Sequence, residues 1–157
     1  MTLKISVEND ASEADRRLVI DSLVAFNRAT APDPARDHVF LFLRDEAGTI
    51  QGGLLAEVYF GWMFVAILWV DGARRGGGWG KALLEGAEAV AVSRGCHGVW
   101  LDTFSFQAPG FYQKLGYEVF GTLDDYPPGH TRYFLRKRLH GGAGRDDASG
   151  HPGGSPR

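Results

Sequence analysis

The stretch "WMFVAILWVDGARRGGGWGKALLEGAEAV", Trp62 to Val90, carries three local signals in succession. Trp62 to Val70 is apolar nearly throughout, as expected of a strand covered on both faces in the middle of a sheet. From Leu83 onward, Leu83, Leu84, Ala87, Val90 and Ala91 fall at helical spacing, with Glu85, Glu88 and Arg94 on other faces, and Gly95 is a natural stop. Between strand and helix lies "RRGGGWGK", Arg74 to Lys81, in which four of eight residues are glycine. Glycine loses the most conformational freedom on ordering, so such a segment is costly unless something holds it.

A helix N-terminus has unpaired N–H groups and a partial positive charge, and glycines let an anion approach its backbone. Phosphate or pyrophosphate is the natural guest, and an arginine beside it adds a charge-assisted hydrogen bond. Composition alone leaves a flexible turn with two solvated arginines as an equal reading. A Walker loop in register with Gly80-Lys81 needs glycine at Arg75 and Ser or Thr at Ala82, and fails at both. The dinucleotide fingerprint fails from Gly76, where Lys81 takes its last place, and from Gly78, where Leu83 does.

Working outward, "LKISVE" (Leu3–Glu8) alternates and predicts a strand, and the segment after Asp10 or Ser12 predicts a helix with Leu18, Val19, Leu23 and Phe26 on one face. His38–Asp45 and Ile50–Phe60 predict a hairpin. After the central helix come a strand at His97–Phe104 and a short helix within "QAPGFYQKLG", with Pro109 in its first turn. Two last strands follow, "YEVFG" and "TRYFLRKRL", joined by "TLDDYPPGH". The fold class is therefore α/β, one mixed sheet with helices packed on it.

With 157 residues, 44% hydrophobic and 12% aromatic, the chain has the makings of one globular domain over residues 1–140. Gly141–Arg157 is Gly-, Pro- and polar-rich and predicts a disordered tail; its His151 reads as solvated. A net charge of −2 and a pI near 6.2 give no basic field for nucleic acid or an anionic membrane. The N-terminus lacks the apolar core of a signal peptide, and Phe60–Val70, broken by Gly61, is too short to span a bilayer. The lone Cys96 rules out an internal disulfide and suits a reducing, cytoplasmic setting. Without a Cys/His cluster, no metal is expected.

Arg75-Gly76-Gly77-Gly78-Trp79-Gly80 matches R-x-x-G-x-G, and "QAPGFYQKLGY" contains A-x-x-F-Y-x-K-x-G-Y. On these motifs and the order of elements, the chain resembles the GNAT superfamily of N-acetyltransferases from about Leu3 to Leu139, most closely from Leu68 to Gly121. The resemblance implies a mostly antiparallel sheet with splayed central strands and helices on both faces. It implies acetyl-CoA as co-substrate, with pyrophosphate on the amides of Gly76, Gly77, Gly78, Trp79, Gly80 and Lys81 and Arg75 as ionic partner. The pantetheine arm would run along the backbone of Leu68 and Val70, with a Val70 N–H facing the oxyanion. Gln107 stands where many members carry asparagine, and keeps its amide chemistry. Tyr112 occupies the place of the acid that protonates the leaving thiolate; its bland reading is packing beside Phe111 and Leu115.

Glu57 and Asp102 are both candidates for the base, unranked, and a water relay would make either sufficient. Asp124, Tyr126 and His130 lie in the segment that closes over the acceptor in this family; a solvated turn around Pro127, Pro128 and Gly129 is the alternative. The family's usual second helix between its first strands has little room in "TAPDPARDHV", which loosens inference about the acceptor. The expected acceptor is a primary amine on a small cationic molecule. The alternatives are a protein or peptide amine, and a non-catalytic acyl-CoA-binding module. The resemblance is also compatible with a homodimer through the last strands.

Overall fold

The computed structural model describes residues 1–31 and 35–139, so the expected tail, Gly141–Arg157, lies outside the described residues. The chain divides into two compact units, Met1–Ala35 and Arg36–Arg157. The first holds α1, Glu13–Arg28. Ser12 caps it by accepting the Asp15 N–H at 3.0 Å, and Glu13 and Asp15 place negative charge in its first turn. The strand expected at Leu3–Glu8 does not form: those residues have no regular structure, and Leu3, Ile5 and Val7 are more than nine-tenths exposed. Alternation makes a strand only where a neighbouring ladder takes up its N–H and C=O groups, and none does here.

The second unit follows the expected order. It runs β1 (Asp37–Arg44), β2 (Ile50–Tyr59), β3 (Trp62–Val70), α2 (Trp79–Ser93), β4 (Gly98–Phe104), α3 (Pro109–Lys114), β5 (Glu118–Asp124) and β6 (Thr131–Arg138), with a short 3-10 turn at Gly72–Arg74. One sheet orders them β1-β2-β3-β4-β6-β5. Only β3 and β4 are parallel; the other neighbours are antiparallel. β5 runs past the expected Gly121 to Asp124, because Thr122, Leu123 and Asp124 pair with Tyr133, Arg132 and Thr131. Asp124 is therefore a strand residue rather than part of a loop.

The core lies between α2 and one face of the sheet. Leu83, Leu84, Ala87 and Ala91 pack toward Leu54, Ala56, Met63, Val65, Val99 and Leu101, all buried. Each fully buried leucine here contributes about 1.5–3 kcal/mol. A Cβ at Gly86 would stand 2.8 Å from a methyl of Leu41, so glycine sets how closely α2 approaches β1.

A polar network crosses this core. Buried Tyr117 donates its hydroxyl to Glu88 at 2.9 Å, and Lys137 donates to the other Glu88 oxygen at 2.9 Å. Burial first, then the Glu88 charge and its hydrogen bond to the hydroxyl, push the Tyr117 pKa well above its ordinary value. An unfolded tyrosine titrates near 10. The stability contributed by the protonated native tyrosine is thus full below about pH 10 and declines as pH rises beyond it. Urea unfolding at about pH 8 and about pH 11 should show this decline. Tyr117→Phe should flatten the alkaline fall while costing about 1–3 kcal/mol at the lower pH, through the partner left behind on Glu88.

Candidate active site

The parallel pairing of β3 with β4 is short: Trp62 to Val65 oppose Gly98 to Leu101, and there it stops. At the same point the register of β3 against β2 jumps, from Ala56↔Val65 to Leu55↔Ile67, leaving Ala66 as an extra residue. Such a bulge bends its strand and increases the local twist. β3 leaves β4 at this bend, and the gap between them is a cavity of about 710 Å³.

The bulge also fixes which groups face the gap. The Asp71 N–H bonds the Gln51 carbonyl on β2 at 2.8 Å. By antiparallel alternation, Trp69 and Ile67 also turn their backbone groups to β2, whereas Val70 and Leu68 turn theirs away, into the gap. The Val70 carbonyl does meet a donor from that side, Arg75 Nε at 3.4 Å. The side chains of Leu68 and Val70 pack on the core, while those of Ile67 and Trp69 emerge on the opposite face.

At the far end of β3 the chain makes the glycine turn. Gly76 and Gly78 have φ of +84° and +78°, with Gly77 between them, so successive N–H groups line a concave nest. The first α2 amide bonded to the preceding turn is Ala82, to Gly78 at 3.0 Å. Among the described residues the N–H groups of Gly76 through Lys81 have no acceptor. Arg75 and Gly80 line the cavity between β3 and β4. Trp79 instead faces a second hollow of about 720 Å³ together with Arg74 and Arg44, and Lys81 forms an exposed pair with Glu85 at 3.7 Å.

The opposite wall comes from β4 and α3. Gln107 Oε1 accepts from Thr103 Oγ1 and from the Phe104 N–H, both at 3.0 Å, which fixes the turn after β4 and leaves its NH₂ unpaired among the described residues. Tyr112 lines the cavity, its ring edge-on to Phe111 and Tyr117, and its hydroxyl has no hydrogen-bond partner among the described residues. Burial first, and the Asp102 charge second, raise its pKa, so the phenol keeps its proton at neutral pH.

Asp102 lines the same cavity and sits on the face of β4 opposite the core, with Trp100 and Phe104. Its Oδ1 takes Arg132 Nε at 2.9 Å and Nη2 at 2.7 Å, leaving Oδ2 free among the described residues. Glu57 shares that face but lies outside the cavity lining, and accepts from Arg36 at 3.1 Å. The structure thus brings together Leu68, Val70, Arg75, Gly80, Asp102, Gln107 and Tyr112, and leaves Glu57 apart.

Asp124 accepts from Thr131 Oγ1 at 3.2 Å. Tyr126 and His130 fold against the end of β4, Tyr126 with its centroid 6.0 Å from Phe104 and His130 edge-on to Phe106 at 5.0 Å. Both phenylalanines line the cavity; Tyr126 and His130 stand behind them. Arg132, Phe104 and Phe106 went unread in the sequence. The aromatic alternation in "TFSF" hints at the two rings, whereas nothing local points to Arg132, which reaches Asp102 only through β4–β6 pairing. No group of three or more His, Cys, Asp or Glu side chains among the described residues could hold a metal ion.

The acetyltransferase (GNAT) family model matches residues 7–117. The chain is 46% identical over 95 residues to the blasticidin-S acetyltransferase of Streptomyces morookaense, covering 60% of this chain and 70% of that one. Over 134 residues it is 32% identical to an acetyltransferase of Agrobacterium fabrum, covering 85% of this chain and 98% of the relative. The crystal structure of an acetyltransferase from Bacillus cereus matches with a TM-score of 0.80 at 33% identity, over 85% of this chain and 98% of that one.

The nest depends on left-handed glycines, so Gly78→Ala should cost about 1–2 kcal/mol in urea unfolding. Gly72→Ala, at a glycine with open space and no positive φ, should cost much less in the same assay.

Proposed function

Because the chain belongs to the GNAT acetyltransferase family, we propose that its cavity transfers acetyl from acetyl-CoA directly to the primary amine of a small cationic molecule. The observation that carries this reading is the coincidence, along one gap, of an unpaired strand edge, an anion nest and a protonated tyrosine. The relative named for blasticidin-S supports a small-molecule acceptor over a protein one.

The pyrophosphate rests on the amides of Gly76 to Lys81, with Arg75 at its side, and the pantetheine arm extends along β3 toward the bend. Its amides pair with Leu68 and Val70 as an added strand would. Val70 lies at the Arg75 end of that edge. At about 3.3 Å per residue the thioester reaches farther, so the oxyanion falls nearer the Leu68 N–H than the Val70 N–H expected from sequence. The unpaired NH₂ of Gln107 is a further donor on the opposite wall.

On this reading the two substrates approach from opposite sides of the pleat. The nest, Arg75 and Tyr112 belong to the helical side of the gap, Asp102 to the other. Asp102, rather than Glu57, then receives the acceptor, since it alone of the two lines the cavity. Its free Oδ2 takes the ammonium proton directly or through water, and the neutral amine attacks the thioester carbonyl. A C–N bond forms, the tetrahedral intermediate collapses with loss of its second ammonium proton to water, the C–S bond breaks, and the Tyr112 hydroxyl donates its proton to the departing thiolate and is recharged from that water.

Thiol release from acetyl-CoA tests these roles. Tyr112→Phe should lower kcat by about 10²–10⁴-fold with little change in the KM for acetyl-CoA. Arg75→Gln should raise that KM by about 10–100-fold, the worth of a charge-assisted hydrogen bond. Unchanged kcat in Tyr112→Phe would return the tyrosine to packing beside Phe111 and Tyr117.

A further inference from the structure

We propose that the acceptor carries its amine on a flat, unsaturated body, and that Phe106 and the Arg132-centred ring cluster select it over polycations. This rests on the catalytic reading of the same cavity and narrows its acceptor.

The first observation is what lines the acceptor side. Phe104 and Phe106 stack there with centroids 5.1 Å apart and planes 4° from parallel. Phe106 is 56% exposed, and across the gap Trp69 is 46% exposed. Large rings left open at the mouth of a cavity mark a surface that a ligand covers. A planar group stacked on Phe106 continues the existing pair.

Charge is the second. Asp102 is the one acid and Arg75 the one base among the cavity-lining residues. Arg132 already balances the Asp102 charge, so Oδ2 offers an acceptor for one ammonium and no net anion for a second. A second ammonium would find no carboxylate in the lining. Asp124, the last residue of β5, and Asp125 after it do not line the cavity; their Oδ1 atoms accept from Thr131 Oγ1 and from the Gly129 N–H.

The third observation weighs against this ring cluster holding a further cation. Arg132 already sits over Phe104 at 5.4 Å, Tyr126 at 5.0 Å and Phe134 at 5.3 Å. One face of each of these three rings is thereby occupied by the protein's own guanidinium, whose charge also repels a second cation brought up beside Phe106. A flat neutral body meets neither obstacle.

The test compares kcat/KM for 2-phenylethylamine, n-hexylamine and spermidine at saturating acetyl-CoA, in wild type, Phe106→Leu and Phe106→Trp. The expected result is an aryl-over-alkyl preference of about tenfold, spermidine no better than hexylamine, an aryl/alkyl ratio near one in Phe106→Leu and its recovery in Phe106→Trp. Equal use of aryl and alkyl amines by wild type, preference for spermidine, no turnover of any of the three, or a ratio indifferent to position 106 would overturn the proposal. Tyr112→Phe with whichever amine is turned over separates the two levels. A sharp loss there with no aryl preference sinks the acceptor class alone, whereas an unchanged rate sinks the acid assignment whatever the preference.

Discussion

Parallel strands are held by evenly spaced bonds, and β3 and β4 form theirs over only the first part of their length. The extra residue at Ala66 turns β3 away and shifts its pleat, so that beyond the bend its unpaired backbone faces a gap instead of a neighbour. Everything the proposed reaction would use for binding follows from that separation. The edge of β3, the wall of β4 and the helix that begins after the glycine turn converge on the space that the missing pairing leaves open. A β3 paired to its end would have its edge satisfied by β4 and would leave nothing for an extended ligand to complete.

The charged groups around the gap are arranged unequally. On the helical side the positive character comes from backbone amides and Arg75, in a turn whose shape is set by glycine φ angles. Across the gap, charge is carried by one ion pair, Asp102 with Arg132, wrapped in rings. Deeper in the core, Glu88 is met on both oxygens by Tyr117 and Lys137. Tyr117 in turn donates its N–H to the Tyr112 carbonyl at 3.1 Å, so this network braces the end of the helix that presents Tyr112.

What could be read in the sequence was what is encoded locally. Arg75, the glycines and Tyr112 belong to short motifs in which neighbours in sequence are neighbours in space. The elements from β1 onward were legible because apolar period and turn residues agreed. Leu3–Glu8 had the period without a partner strand, and Thr122–Asp124 had a partner without an apolar period; each was misread for that reason. Asp102 and Arg132 are 30 residues apart and meet through strand register, which no local pattern specifies. That Asp102 lines the cavity and Glu57 does not likewise depends on where β3 bends, a property of three strands together.

The two halves of the cavity also differ in how sequence change can reach them. The side proposed for the donor is made largely from main-chain amides and carbonyls, which persist when side chains are exchanged, provided that the glycine conformations survive. The side proposed for the acceptor is made of side chains at strand ends: Trp69, Phe104, Phe106 and, behind them, Tyr126. A single codon change there can redraw the shape offered to an incoming amine while the cofactor grip stays intact. A scaffold divided in this way can diversify its acceptors within a lineage and keep one donor throughout.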